Sequence, residues 1–138
     1  MKRGEIRLNA YIDSTIAINL VENDDVFAPM INAWFLKHDA EMAASDLTRM
    51  ESRVKPLRNF DLPLLADFEI FFARRVKTRV ELHRSVWDRA AKLRANHRFL
   101  KGLDAIHLAA AIEARCTAFV TNEKRLSSVK EIPVIVIA

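Results

Sequence analysis

The chain has 138 residues, of which 51% are hydrophobic and 29% are charged. This length suits one domain with a substantial core, so we expect a single domain over residues 1–138. No apolar run approaches the roughly 20 residues that span a bilayer, and the N-terminal MKRGEIRLN lacks the apolar stretch of a secretory signal, which predicts a cytoplasmic protein without membrane association. A single cysteine, Cys116, excludes an internal disulfide and a thiolate zinc cluster.

The net charge of +4 is unevenly distributed. Residues 49–101 contain 14 Lys or Arg and 6 Asp or Glu, whereas the rest of the chain has a net charge of −4. A basic middle region is suited to contact with a polyanion, and solvated helix faces explain it equally well.

The first part of the chain alternates between strand-like and helix-like segments. In chain order, these are a strand over 8–12, helices over 15–22 and 26–37, a strand over 41–45 and a helix over 46–58. Ser14 stands where the N-cap of the first helix is expected, and Pro56 is expected to bend or end the helix over 46–58.

The second part continues the alternation. Asp61 and Pro63 open a helix that carries Phe68 and Phe71, and Ser85 is the expected N-cap of a later helix. The remaining segments are a strand over 78–83, helices over 86–97 and 103–115, a strand over 117–121, a short helix over 122–129 and a strand over 133–137. This pattern predicts an α/β fold with a mainly parallel sheet.

Four acids are expected to converge at one edge of this sheet. Asp13 directly follows a strand and Glu123 follows another by two residues. Glu51 and Asp104 lie in helices whose starts point to the same edge in parallel winding. Converging carboxylates repel each other, and a hard dication such as Mg²⁺ or Mn²⁺ relieves that repulsion. Ordinary solvated or helix-start acids are the alternative explanation.

At these acids the sequence resembles the PIN-domain family, in particular the VapC-type toxins of toxin–antitoxin pairs. The similar segments are YIDSTIAINL, ASDLTRMESRVKPLR, LDAIHLAAAIEA and FVTNEKRL, and the resemblance runs from about Leu8 to the end. It implies a PIN-like three-layer α/β/α sandwich with a central, mainly parallel sheet of four or five strands.

The resemblance also implies a site. Asp13, Glu51 and Asp104 match the family's acids and would hold the metal ion. Glu123 replaces the aspartate of the usual Thr-x-Asp motif and would support the same ion or a second one, with Asn122 as a further oxygen donor. Thr121 matches the family's threonine and would orient a carboxylate or a water molecule among the catalytic residues.

The activity implied by the resemblance is that of a Mg²⁺- or Mn²⁺-dependent endoribonuclease that cuts tRNA or rRNA, forms a homodimer and is neutralised by a cognate VapB-type antitoxin. Two alternatives remain open: a catalytically weakened PIN-like module that binds RNA or protein, and an RNA-processing nuclease outside any toxin–antitoxin pair.

Two further positions bear on the site. His107 lies three residues after Asp104, and we interpret it as a core or hydrogen-bonded residue rather than a metal ligand. Lys101 precedes the same helix and is a candidate for phosphate contact. The basic residues around Glu51 and the run formed by Arg74, Arg75, Lys77 and Arg79 are interpreted mainly as surface charges.

Overall fold

A computed structural model describes residues 8–138 of the chain. The strands in this range are β1 (Leu8–Ile12), β2 (Ala40–Ser45), β3 (Val76–Val80), β4 (Ala118–Thr121) and β5 (Val134–Val136). The α-helices are α1 (Ser14–Val21), α2 (Phe27–His38), α3 (Asp46–Arg58), α4 (Leu62–Arg74), α5 (Arg84–Asn96) and α6 (Gly102–Glu113). A short 3₁₀ helix covers Lys124–Ser128.

The strands form one five-stranded sheet in the order β3-β2-β1-β4-β5, and every neighbouring pair is parallel. The carboxyl ends of parallel strands meet at one edge, which is where ligands bind in open α/β sheets. The predicted α/β class is therefore confirmed, with the larger of the two expected strand numbers.

Side chains alternate between the two faces of the sheet, so each strand contributes to two cores. Tyr11 packs into the core beneath α5 and α6, whereas its neighbours Ala10 and Ile12 pack into the core beneath α1, α2 and α4. Helix α3 packs against α1 and α4. This arrangement confirms the three-layer α/β/α sandwich, and within residues 8–138 no helix is long and apolar enough to cross a membrane.

Several element ends differ from the sequence expectations. Asp13, not Ser14, is the N-cap of α1, and its carboxylate accepts a hydrogen bond from the Ile16 backbone N–H at 3.3 Å. His83 precedes α5, so Ser85 lies inside that helix rather than capping it. The strand predicted over 78–83 ends at Val80, because its pairing with β2 ends there.

Pro56 does not end α3, which continues to Arg58. Proline removes one backbone donor near the end of the helix, and the following turn is closed by the Asp61 N–H, which donates to the Pro56 carbonyl at 2.9 Å. The interpretation of His107 as a core or hydrogen-bonded residue is confirmed, since its side chain is buried, and Cys116 is buried as well.

Candidate active site

A cleft of about 550 Å³ opens at the carboxyl edge of the sheet. Its polar lining consists of Asp13, Thr15, Glu51, Lys101, Asp104 and Glu123. All four acids selected from the sequence therefore face one space, although they are far apart in the chain. Strand ends supply Asp13 and Glu123, the second turn of α3 supplies Glu51, and the first turn of α6 supplies Asp104.

The register of β1 and β4 places Asp13 beside Thr121. Ile12 pairs with Val120 in this parallel ladder, so the next residue of each strand stands at the same level. The Thr121 hydroxyl donates to Asp13 Oδ2 at 2.6 Å, and both residues are buried. Thr121 thus fixes one oxygen of the aspartate from beneath the cleft.

The other oxygen of Asp13 is also held. Asp13 Oδ1 accepts hydrogen bonds from the Thr15 hydroxyl at 2.6 Å and from the Ile16 N–H. Only 5% of Asp13 is exposed, and this burial raises the pKa of its carboxyl, while the hydrogen bonds from Thr121 and Thr15 oppose the rise. The carboxylate is rigidly placed but costly to ionise.

Asp104 occupies the first turn of α6, where the helix dipole favours an acid. Its pKa is nevertheless raised, first by burial and next by the neighbouring Asp13 carboxylate, with a smaller contribution from Glu51. Lys101 at the rim of the cleft opposes this rise. Burial is the main cause of the raised pKa of Asp104, and repulsion from the neighbouring acids, which was expected from the sequence, adds to it.

Glu51 lies in the second turn of α3, and the start of that helix is firmly fixed. Ser45 and Thr48 form a capping box, in which the Ser45 hydroxyl accepts from the Leu47 N–H at 3.2 Å. Glu51 Oε1 lies 2.5 Å from His107 Nε2, and 23% of the Glu51 side chain is exposed. His107 has the hydrogen-bonded role expected of it, and its partner is one of the acids.

Glu123 is held differently from the other acids. Its backbone N–H donates to the Thr121 hydroxyl at 3.0 Å, which ties it to the same threonine as Asp13. Its carboxylate, however, accepts from the Arg125 N–H at 3.2 Å and lies 3.6 Å from the Arg125 Nε. Glu123 therefore reaches the cleft while also capping the 3₁₀ helix that follows it.

The sequence did not single out every residue that shapes the cleft. Thr15 was missed, although a hydroxyl two residues after an N-cap acid is a recognisable signal. Tyr11 was missed because it resembles an ordinary core residue of β1. Asn122, considered as an oxygen donor, is engaged elsewhere: its amide oxygen accepts from Asn19 and its amide nitrogen donates to the Ile137 carbonyl.

The donor set suits a hard divalent cation. Every acid offers oxygen, and burial raises the pKa of both Asp13 and Asp104, so a bound dication would offset the cost of ionising them. Within residues 8–138, no three His, Cys, Asp or Glu side chains are arranged to bind one ion directly. Magnesium commonly keeps several waters and binds through one or two carboxylates, so the arrangement fits a water-rich site better than a closed cage.

The fold and the site define an α/β protein with an acid-lined cleft at the carboxyl edge of a parallel sheet. Residues 10–132 match the PIN domain family, and the chain belongs to that family. No curated protein sequence gives a significant match to the chain.

Three similar solved structures come from toxin–antitoxin systems. VapBC2 from Rickettsia felis, bound to a DNA fragment from its promoter, has a TM-score of 0.75 at 13% identity, covering 93% of this chain and 98% of that one. A toxin–antitoxin complex from Klebsiella pneumoniae has a TM-score of 0.72 at 22% identity, covering 91% and 95%. The sarcin–ricin loop cleaving toxin VapC20 from Mycobacterium tuberculosis has a TM-score of 0.66 at 12% identity, covering 90% and 98%. At these identities the similarity establishes the shared fold.

Proposed function

We propose that this protein is a Mg²⁺- or Mn²⁺-dependent endoribonuclease of the VapC type, acting as one PIN-like domain over residues 1–138. The observation that carries the proposal is the convergence of Asp13, Glu51, Asp104 and Glu123 on one cleft. Membership of the PIN family supports nuclease activity, and the toxin–antitoxin neighbours support the VapC assignment.

Asp13, Glu51 and Asp104 would hold the metal ion, directly or through water, and Glu123 would support it. When bound, the ion would supply an activated water and stabilise charge on the phosphate oxygens. Thr121 and Thr15 hold the Asp13 carboxylate in place, and burial of Asp13 excludes water from its lower side. Lys101 at the rim would contact an RNA phosphate, which positions the backbone without reading sequence.

We further propose the partners that the resemblance implies: a tRNA or rRNA substrate, a VapB-type antitoxin and a second copy of the chain, in the cytoplasm. The complexes from Rickettsia felis and Klebsiella pneumoniae support an antitoxin partner. Co-purification with an antitoxin encoded beside the gene, and sedimentation of the free protein, test the partner and the dimer separately.

The central experiment measures cleavage of labelled tRNA and rRNA by the purified protein with EDTA, Mg²⁺ or Mn²⁺. We expect cleavage only with a metal ion. Asp13→Asn is the sharpest variant because asparagine keeps the N-cap oxygen but removes the charge. We expect it to reduce cleavage at least about 10³-fold, since several kcal/mol of transition-state stabilisation depend on the metal site.

Asp61→Asn is the matched control, because Asp61 caps α4 in the same way, with its side chain accepting from the Leu64 N–H, outside the cleft. It should cut RNA as the wild type does. Cleavage that persists in EDTA, or that survives Asp13→Asn, would contradict the proposed function.

A second candidate, a PIN-like module that binds RNA without cutting it, is favoured by one observation. The carboxylate of Glu123 is partly engaged by Arg125, so it is a weaker metal ligand than the usual aspartate. RNA binding without metal-dependent cleavage across tRNA and rRNA substrates would support this candidate. Recovery of cleavage in Glu123→Asp would then show that the longer side chain is the cause.

A further inference from the structure

A buried chain of hydrogen bonds runs from Glu51 into the sheet. Glu51 Oε1 meets His107 Nε2, and His107 Nδ1 lies 2.7 Å from the Tyr11 hydroxyl. The Tyr11 hydroxyl lies 2.8 Å from Ser45 Oγ. Tyr11, Ser45 and His107 are each no more than 3% exposed, so these polar groups depend on one another rather than on solvent.

The hydrogen positions in this series of hydrogen bonds can be assigned by counting donors and acceptors. The Thr48 hydroxyl donates to the Ile12 carbonyl at 3.3 Å, and Ser45 Oγ already accepts from the Leu47 N–H. The Ser45 hydroxyl hydrogen is therefore available for the Tyr11 oxygen, and the Tyr11 hydrogen for His107 Nδ1. His107 then carries its hydrogen on Nε2 and donates it to Glu51 Oε1.

The opposite tautomer would place two acceptors against each other. With the ring hydrogen on Nδ1 alone, Nε2 would present a lone pair to Glu51 Oε1 at 2.5 Å, and an ionised carboxylate only accepts hydrogen bonds. A hydrogen on Nε2 satisfies this contact, and Nδ1 then accepts from the Tyr11 hydroxyl.

We propose that His107, oriented by Tyr11, is a positioning residue that fixes Glu51 by donating from Nε2 to Oε1 and so directs the remaining carboxylate oxygen to the metal ion. No second hydrogen bond holds Glu51 within the described part of the chain, so without His107 its side chain would be free to rotate. This inference rests on the proposed function, because it assigns the role of one residue beside the same cleft.

The first test determines which ring nitrogen of His107 carries the hydrogen in the metal-free protein, by long-range ¹H–¹⁵N correlation spectra. We expect a hydrogen on Nε2 and none on Nδ1. Tyr11→Phe keeps the ring volume but removes the donor to Nδ1, and it should weaken this preference. A hydrogen on Nδ1 in the wild type would overturn the assignment.

The second test measures Mn²⁺ affinity by calorimetry in two variants of His107. In His107→Gln the amide nitrogen replaces Nε2 and can still donate to Glu51, whereas in His107→Asn the amide reaches only toward Tyr11. We expect His107→Asn to weaken Mn²⁺ binding about 10–100-fold, the usual effect of losing a hydrogen bond that orients a metal ligand, and His107→Gln to restore most of it. Thermal melts without metal show whether both variants fold.

The matched control is His97→Asn, because His97 Nε2 also bonds a glutamate, Glu131 at 3.0 Å, away from the cleft. It should leave Mn²⁺ affinity unchanged. Equal losses of affinity in the Asn and Gln variants that follow their losses of stability would overturn the positioning role, as would wild-type affinity in His107→Asn. If that variant does not fold, the Mn²⁺ affinity of Tyr11→Phe decides, with a loss supporting the role and wild-type affinity overturning it.

The outcomes separate this inference from the proposed function. A wild type that binds Mn²⁺ and cuts RNA, with variants that bind equally well, overturns the role of His107 alone. A wild type that binds no Mn²⁺ overturns both.

Discussion

The two ends of the parallel sheet carry charges of opposite sign, and these charges differ in their exposure to solvent. At the carboxyl end, acids from four separate segments converge and Asp13 is almost fully buried. At the amino end, Arg74, Arg75 and Lys77 extend from the junction of α4 and β3 and are exposed. There the Arg75 guanidinium donates to Asn32 at 3.1 Å and the Lys77 ammonium to the Arg74 carbonyl at 3.1 Å.

The two ends therefore differ in what their charges cost in stability. Exposed cations are solvated and contribute little to stability. Burial raises the pKa of Asp104, and the neighbouring Asp13 and Glu51 carboxylates raise it further. Such a group costs stability when ionised unless hydrogen bonds or a cation compensate it. Such a cost is typical of functional sites, where activity requires an arrangement that stability alone would not favour.

The largest effect on stability should come from Asp13, whose carboxylate is both buried and held by hydrogen bonds. Asp13→Ala and Asp13→Asn both remove the buried charge, but only alanine removes the oxygen that accepts from Ile16 and Thr15. We expect the alanine variant to be less stable than the asparagine variant by about 1–3 kcal/mol. The difference combines a lost N-cap with the buried Thr121 hydroxyl, which loses its partner in the alanine variant but can pair with the amide of asparagine. Urea denaturation of both proteins measures the difference.

The alanine and asparagine variants of Asp61 measure the contribution of an N-cap alone. Asp61→Ala and Asp61→Asn change a helix N-cap outside the cleft, and their difference should be about 1 kcal/mol or less. Equal stability of the two Asp13 variants would show that its hydrogen bonds contribute nothing beyond the charge.

The second prediction compares one cation at each end of the sheet. Lys101 lines the acidic cleft, whereas Lys77 lies at the amino end. We expect Lys101→Gln to weaken RNA binding several-fold, about 1 kcal/mol, and to reduce the slope of log affinity against log salt concentration by about one, as for a lost phosphate contact. Filter binding in Ca²⁺, over a series of salt concentrations, measures both.

Lys77→Gln should leave RNA affinity and its salt dependence close to wild type. If the two variants weaken binding equally, RNA contacts the amino end as well, and the basic run around β3 would then belong to the binding surface.

The main features of the fold follow from the sequence because they depend on local patterns. Short apolar segments alternate with longer helical ones, which leads to parallel strands, and the acids at strand ends and helix starts then meet at one edge. The placement of Asp13 after β1 and of Asp104 in the first turn of α6 is of this kind.

Features that depend on contacts between distant segments could not be predicted. The hydrogen bond between Thr121 and Asp13 depends on the register of β1 with β4, and the one between Glu51 and His107 on the packing of α3 near α6. Even the cap of α1 was misassigned, because Ser14 and Asp13 are both good N-cap residues and only the backbone geometry distinguishes them.

The smallest predicted effect is on stability and concerns Asp104. Its pKa is raised in the folded protein above the ordinary value of 3.8, so the folded state prefers the protonated carboxyl. Below the unfolded pKa both states are protonated and no stability is lost. As the pH rises, the unfolded chain ionises first and the folded protein becomes relatively less stable, until the pH exceeds the raised pKa and the loss is complete.

Asp104→Asn removes this cost, because asparagine does not ionise. In EDTA at neutral pH the variant should be more stable than the wild type by up to about 1 kcal/mol, or about 2–4 °C in Tm, a modest value because the side chain is partly exposed. The gain in stability should vanish as the pH is lowered below the pKa that the Asp104 carboxyl has in the unfolded chain. Saturating Mn²⁺ should reverse the order, since ligand binding stabilises only the protein that retains the site. Thermal melts over this pH range, with EDTA and with Mn²⁺, measure both effects.

A variant less stable than the wild type in EDTA would show that Asp104 stabilises the fold instead of destabilising it. The contrast between the two ends of the sheet would then rest on Asp13 alone.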